Sequence, residues 1–76
     1  MNCQIHYTAN DDYQAEHIGA AFGQAMLAAG ASSVRSGSIG LEAFAFAVFA
    51  GDADIAAIRY ELHKDGYDSA FVGCRP

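Results

Sequence analysis

Glu42-Ala43-Phe44-Ala45-Phe46-Ala47-Val48-Phe49 is the stretch that decides the fold. It is apolar after its first residue and alternates large with small. Period two with aromatic and β-branched residues marks a strand. Phe44, Phe46 and Val48 share one face, and Ala43, Ala45, Ala47 and Phe49 share the other. Neither face is polar, so the strand is expected in the middle of a sheet, covered on at least one side by helices.

Working back toward the N-terminus, Ala31 to Gly40 is rich in Ser and Gly. Ser33-Val34-Arg35 is read as the start of a short strand at the sheet edge, with Gly37 or Gly40 making the turn into Glu42–Phe49. Before it lies a helical segment. Asn10, Asp11 and Asp12 are all capping residues, and Asp11 with Gln14 has the spacing of a capping box. The helix is predicted to run to about Ala29 and to stop at Gly30, with Ile18, Phe22, Ala25 and Ala29 on its inner face and Glu16, His17 and Gln24 elsewhere. Gly19 and Gly23 each cost about 1 kcal/mol relative to Ala, which implies close backbone approach to the sheet or to a second helix. The chain opens on another strand, Cys3 to Thr8, with Cys3, Ile5 and Tyr7 on one face and Gln4, His6 and Thr8 on the other.

Working forward, Gly51-Asp52-Ala53-Asp54 starts a second helix, with Asp52 as its expected N-cap. Ile55, Ile58 and Leu62 form its expected buried stripe, and Gly66 ends it. Ser69 to Cys74 alternates again and supplies a fourth strand.

The order is therefore strand, helix, strand, strand, helix, strand, in one α+β domain over residues 1–76. Right-handed crossovers give an antiparallel four-stranded sheet of order 4-1-3-2 with two helices on one face. In element order this is similar to ferredoxin-like two-layer sandwiches. The cysteine spacing of an iron–sulfur protein is absent, so no cofactor is expected.

The topology makes neighbours of distant residues. Cys3 and Cys74 are expected side by side at one end of the sheet, as two small buried thiols in preference to a cross-strand disulfide. The opposite end gathers Asp11, Asp12, Asp65 and Asp68, with Glu16, Glu61, His17 and His63 a turn or less away. Tyr13 and Tyr60 fall on the outward sides of their helices, near Ala20 and Ala57. With Phe44 and Phe46 toward the helices, the open face of the sheet would show Ala45, Ala47, Phe49 and Phe71.

Composition narrows the function. Nine acidic against four basic residues give a net charge of −5, which argues against direct binding of nucleic acid or of an anionic membrane. The first eight residues lack a signal-peptide pattern. The longest apolar stretch, Leu41 to Ala50, contains Glu42 and is too short to span a bilayer. A cytoplasmic, reduced protein is the expectation. No His-x-x-x-His or other close ligand spacing supports a metal, and Gly37-Ser38-Ile39-Gly40 matches neither the dinucleotide fingerprint nor the P-loop.

The expected function is a non-enzymatic protein-binding module. Asp11, Asp12, Tyr13, Glu16, Tyr60, Glu61, Asp65 and Asp68 would meet a partner with a basic surface. Such a module could inhibit a nucleic-acid-handling complex. In size and charge the chain resembles small phage or plasmid anti-defence proteins, including anti-CRISPR proteins. Two alternatives stay open: a ligand-sensing regulatory domain that works as a homodimer paired through sheet edges, and a small enzyme using the His and carboxylate end.

Overall fold

The computed structural model describes all residues, Met1–Pro76. The elements are β1 (Asn2–Thr8), α1 (Asp12–Ala28), β2 (Ser33–Ile39), β3 (Glu42–Val48), α2 (Ile55–Lys64) and β4 (Phe71–Arg75). The four strands form one antiparallel sheet in the order β2-β3-β1-β4. This is the expected order read from the other edge. The result is an α+β sandwich, one sheet under two helices, consistent with a ferredoxin-like arrangement.

Local chemistry explains most boundaries. Asp11 caps α1 by accepting the Gln14 N–H at 2.7 Å, and the Gln14 side chain accepts the Asn10 N–H at 2.9 Å. The reciprocal box thus closes one residue further out than the usual pattern. Gly30 ends α1 at φ +104°, Gly40 turns β2 into β3 at φ +60° and Gly66 ends α2 at φ +85°, a region that glycine enters without steric cost.

Several expectations need correction. The N-cap of α2 is Asp54, not Asp52: Asp54 accepts from Ala56 N–H at 3.0 Å and Ala57 N–H at 3.3 Å. The later start leaves Ile55 in the first turn and 42% exposed, so the buried stripe of α2 is Ile58 and Leu62 alone. β2 is an edge strand as expected, but it is seven residues long and contains Gly37. β4 begins at Phe71 rather than Ser69. Cys3 and Cys74 stand opposite each other on β1 and β4 and are joined as a disulfide, not left as thiols. Strand pairing of the terminal strands brings their Cα atoms to 4.0 Å, close enough for the bond to span the ladder.

The largest correction concerns β3. Ala43, Ala45 and Ala47 face the helices and are buried, while Phe44, Phe46 and Val48 face outward. Antiparallel partners share a face. Cys3, Ile5 and Tyr7 pair with Ala47, Ala45 and Ala43, and so put the alanines inside. Phe22, Ile18 and Met26 descend from α1 and Ile58 and Leu62 from α2, all essentially fully buried. The inner face of the central strand has no room for phenylalanines. The close approach has a visible cause: a β carbon on Gly19 would overlap the Gly37 carbonyl, and one on Gly23 would overlap Ser36 Oγ. The two glycines let α1 lie directly on β2.

Candidate functional site

Several residues of the expected acidic end are engaged locally. Asp11 is occupied as the α1 cap. Asp68 accepts from His63 Nδ1 at 2.7 Å, and Glu61 accepts from Lys64 Nζ at 2.9 Å. That hydrogen bond from Lys64 to Glu61 raises the lysine pKa above its ordinary value. Lys64 Nζ also lies 5.0 Å from the centroid of the Tyr60 ring. Asp12, Glu16 and His17 are exposed on α1, and Asp65 is exposed as the C-cap of α2. Tyr13 is 83% and Tyr60 61% exposed. No three His, Cys, Asp or Glu side chains are grouped as metal ligands would be. These residues are on the surface, and Asp11, Glu61 and Asp68 each have a local partner.

The open face of the sheet is more organised. The strand register sets out its outward side chains in rows. Arg35, Phe46, Gln4 and Gly73 form one row, and Gly37, Phe44, His6 and Phe71 form the next. The rings of Phe44 and Phe46 are 5.4 Å apart, those of Phe46 and His6 5.6 Å, and those of His6 and Phe71 6.2 Å. Four rings thus run in an unbroken chain across β3, β1 and β4, with centroid spacings in the range of favourable aromatic pairs.

Glycine keeps this platform low. The Phe71 ring lies 3.0 Å from where a Gly73 β carbon would stand, and the Phe44 ring 3.7 Å from that of Gly37. The rings lean over their glycines instead of standing up from the sheet. Phe46 and Phe71 remain 43% and 56% exposed. Two shallow grooves flank Phe46. One, of about 530 Å³, is walled by Val48, Ser33 and Arg35, and the other, of about 400 Å³, by Phe71, Gly73 and Arg75.

Polar neighbours hold the histidine. His6 Nε2 donates to Gln4 Oε1 at 2.9 Å, and its Nδ1 lies 3.6 Å from the Glu42 carboxylate, which also accepts from Thr8 Oγ1 at 2.9 Å. Glu42 is the one acidic side chain in the sheet, against Arg35 and Arg75. The helices and loops carry the other eight acidic residues and only two basic ones. Acidic charge is therefore concentrated in the helices and loops, away from the aromatic platform.

The sequence places His6 and Phe71 on the open face, but with Phe44 and Phe46 turned toward the helices the four-ring platform is not visible in it. The signal was present in α1: two glycines four residues apart mean a helix lying close to its sheet, and a close helix needs alanine beneath it. Comparison with known proteins finds no matching family model, no matching characterised protein and no matching solved structure.

Proposed function

We propose that this chain is a non-enzymatic protein-binding module that docks through the open face of its sheet. The observation that carries the reading is the four-ring platform, Phe44, Phe46, His6 and Phe71, which forms one contiguous, partly exposed patch. Partly exposed aromatic side chains in a contiguous patch are the usual anchors of a protein interface. The histidines support binding over catalysis: His6 and His63 are engaged with neighbouring oxygens on open surface, not within a cleft that would tune them.

The acidic remainder of the surface suits a partner that is basic around an apolar centre. Asp12, Glu16 and Asp65 supply long-range attraction that speeds encounter, and the platform supplies the lasting contact. A complex that handles nucleic acid offers such a surface, and occupying it would inhibit the complex. This is the anti-defence type of function suggested by size and charge. The reading puts the module in the cytoplasm. No helix is long and apolar enough to cross a membrane. Rapid alkylation of intact cells that found Cys3 and Cys74 bonded would argue for an oxidising compartment instead.

The test is affinity capture from host lysate with the wild-type chain and a Phe46→Ser, Phe71→Ser double variant in parallel, followed by titration of the purified partner at several salt concentrations. The expected partner is lost with the double variant and binds less tightly as salt rises. A partner held equally by both proteins would overturn the sheet-face reading. One whose affinity ignores salt would overturn the electrostatic part.

A further inference from the structure

We infer that two copies of this chain pair through the free edge of β2 and the adjoining flank of α1, forming one eight-stranded antiparallel sheet. The inference does not depend on what docks on the sheet face, where such a pairing touches Phe44 alone among the four rings.

The first observation is the edge itself. β2 is the outermost strand on its side and runs seven regular residues, Ser33–Ile39, with no other segment hydrogen-bonded to its outer side. Edge strands are normally protected by lysine, proline, a bulge or a covering loop. β2 has none of these, and Arg35 is its only charge. The opposite edge, β4, is shorter and is followed at once by Pro76.

The second observation lies in the other layer. Gly19 and Gly23 face β2. At 100° per residue, the side chains that follow them around α1, away from the core, are Glu16, Leu27, Ala20 and Tyr13. Tyr13 and Leu27 are 83% and 50% exposed. An apolar stripe therefore overhangs the same side of the molecule as the unprotected strand edge.

The pairing can be centred in each layer. Antiparallel pairing of α1 about Ala20 sets Tyr13 against Leu27 of the second copy and Glu16 against Gln24. Antiparallel pairing of β2 about Ser36 sets Arg35 beside Gly37 of the second copy and Ser33 beside Ile39. Gly19 meets Gly37 and Gly23 meets Ser36, so the centres of the two pairings, Ala20 and Ser36, lie within about one helical turn of each other along α1. A closed dimer requires a single twofold axis to serve both layers. Gly37 leaves space for the Arg35 side chain of the second copy to reach the Phe44 ring, which leans over that glycine.

Charge and area permit it. Two chains of net charge −5 repel, but the Glu16 residues of the pair would be about 12 Å apart along the helices, beyond the screening length of roughly 8 Å at physiological salt. The α1 dipoles would run antiparallel. A footprint about 25 Å long, set by the helix, and two layers deep buries roughly 1,000 Å² in total, near the lower bound for a specific interface.

The experiment is sedimentation equilibrium of the full chain with three variants. Ala20→Glu puts two like charges on the axis at an exposed position where glutamate is a good helix former. Phe46→Glu alters the sheet face. Ala20→Cys offers a thiol to its own copy. The expected results are a wild-type dimer, weakening by at least about tenfold in Ala20→Glu, no comparable weakening in Phe46→Glu, and an oxidised Ala20→Cys chain that runs as a covalent dimer. Circular dichroism of Ala20→Glu establishes that it is folded. A wild-type monomer at millimolar concentration overturns the inference, as does a dimer that survives Ala20→Glu or is lost only in Phe46→Glu.

Discussion

Gly19 of α1 rests on the backbone of Gly37 in β2, with Gly37 Cα only 3.0 Å from where a Gly19 β carbon would sit. Two glycines, far apart in the chain, thereby set the distance between the helix layer and the sheet. That distance decides which side chains of β3 point inward.

Gly19→Ala is expected to destabilise the fold by about 1–3 kcal/mol, the usual cost of overpacking. The gain of roughly 1 kcal/mol in helix propensity partly offsets it. Backbone atoms are in the way and cannot rotate aside. Gly23→Ala should cost less, because Ser36 Oγ can move. Gly51→Ala, with open space and no positive φ, should be close to neutral. Chemical denaturation of the three variants checks the order, and a Gly19→Ala protein as stable as Gly51→Ala would contradict the close contact.

The two candidate caps of α2 separate cleanly. Asp54→Ala is expected to lose about 1 kcal/mol, the typical worth of an N-cap, while Asp52→Ala should change stability by only a few tenths. For a domain of this size the first corresponds to a fall in Tm of roughly 4–8 °C. Equal Tm values for the two variants would return the cap to an open question between them.

Phe22 and Phe46 test the two sides of the sheet. Phe22 is wholly enclosed and Phe46 is 43% exposed. Phe22→Ala should cost about 3–5 kcal/mol, and Phe46→Ala less than about 1.5 kcal/mol, in proportion to the smaller area it withdraws from water. If Phe46→Ala proved the more damaging, the assignment of faces along β3 would be reversed.

The Cys3–Cys74 bond closes a loop of 71 residues. Chain-entropy arguments put its contribution at roughly 4 kcal/mol for a loop of this length, a large share of the stability of so small a domain. Thermal melts with and without reductant should differ strongly. Identical melts, together with two alkylatable thiols, would show that the pair is not bonded in solution.

How much was legible beforehand varied with the physics involved. Element order, strand order and the Asp11 and Gly30 boundaries of α1 followed from periodicity and capping chemistry, which are local. The neighbouring positions of Cys3 and Cys74 followed from topology. The orientation of β3 did not, because both of its faces are apolar and periodicity alone leaves them equivalent. Its choice came from register with β1, where Ile5 and Tyr7 were read correctly as inward. The choice between Asp52 and Asp54 was hidden for a similar reason, since either carboxylate can cap and only the path of Gly51–Ala53 selects one. The acidic end was legible as composition near one tip of the fold. That Glu61 and Asp68 would each be engaged locally was not, because Lys64 and His63 lie within reach only once α2 and its following turn are formed.

The alanine floor of β3 has a consequence for how such a protein can change over generations. Volume in the interior is supplied from the helix layer, so the outward residues of β3 are nearly free of any duty to the fold. Substitutions at Phe44, Phe46 or Val48 can alter the outer surface of the sheet while the domain goes on folding as before. Surface character and foldability are inherited by separate sets of residues on a single strand.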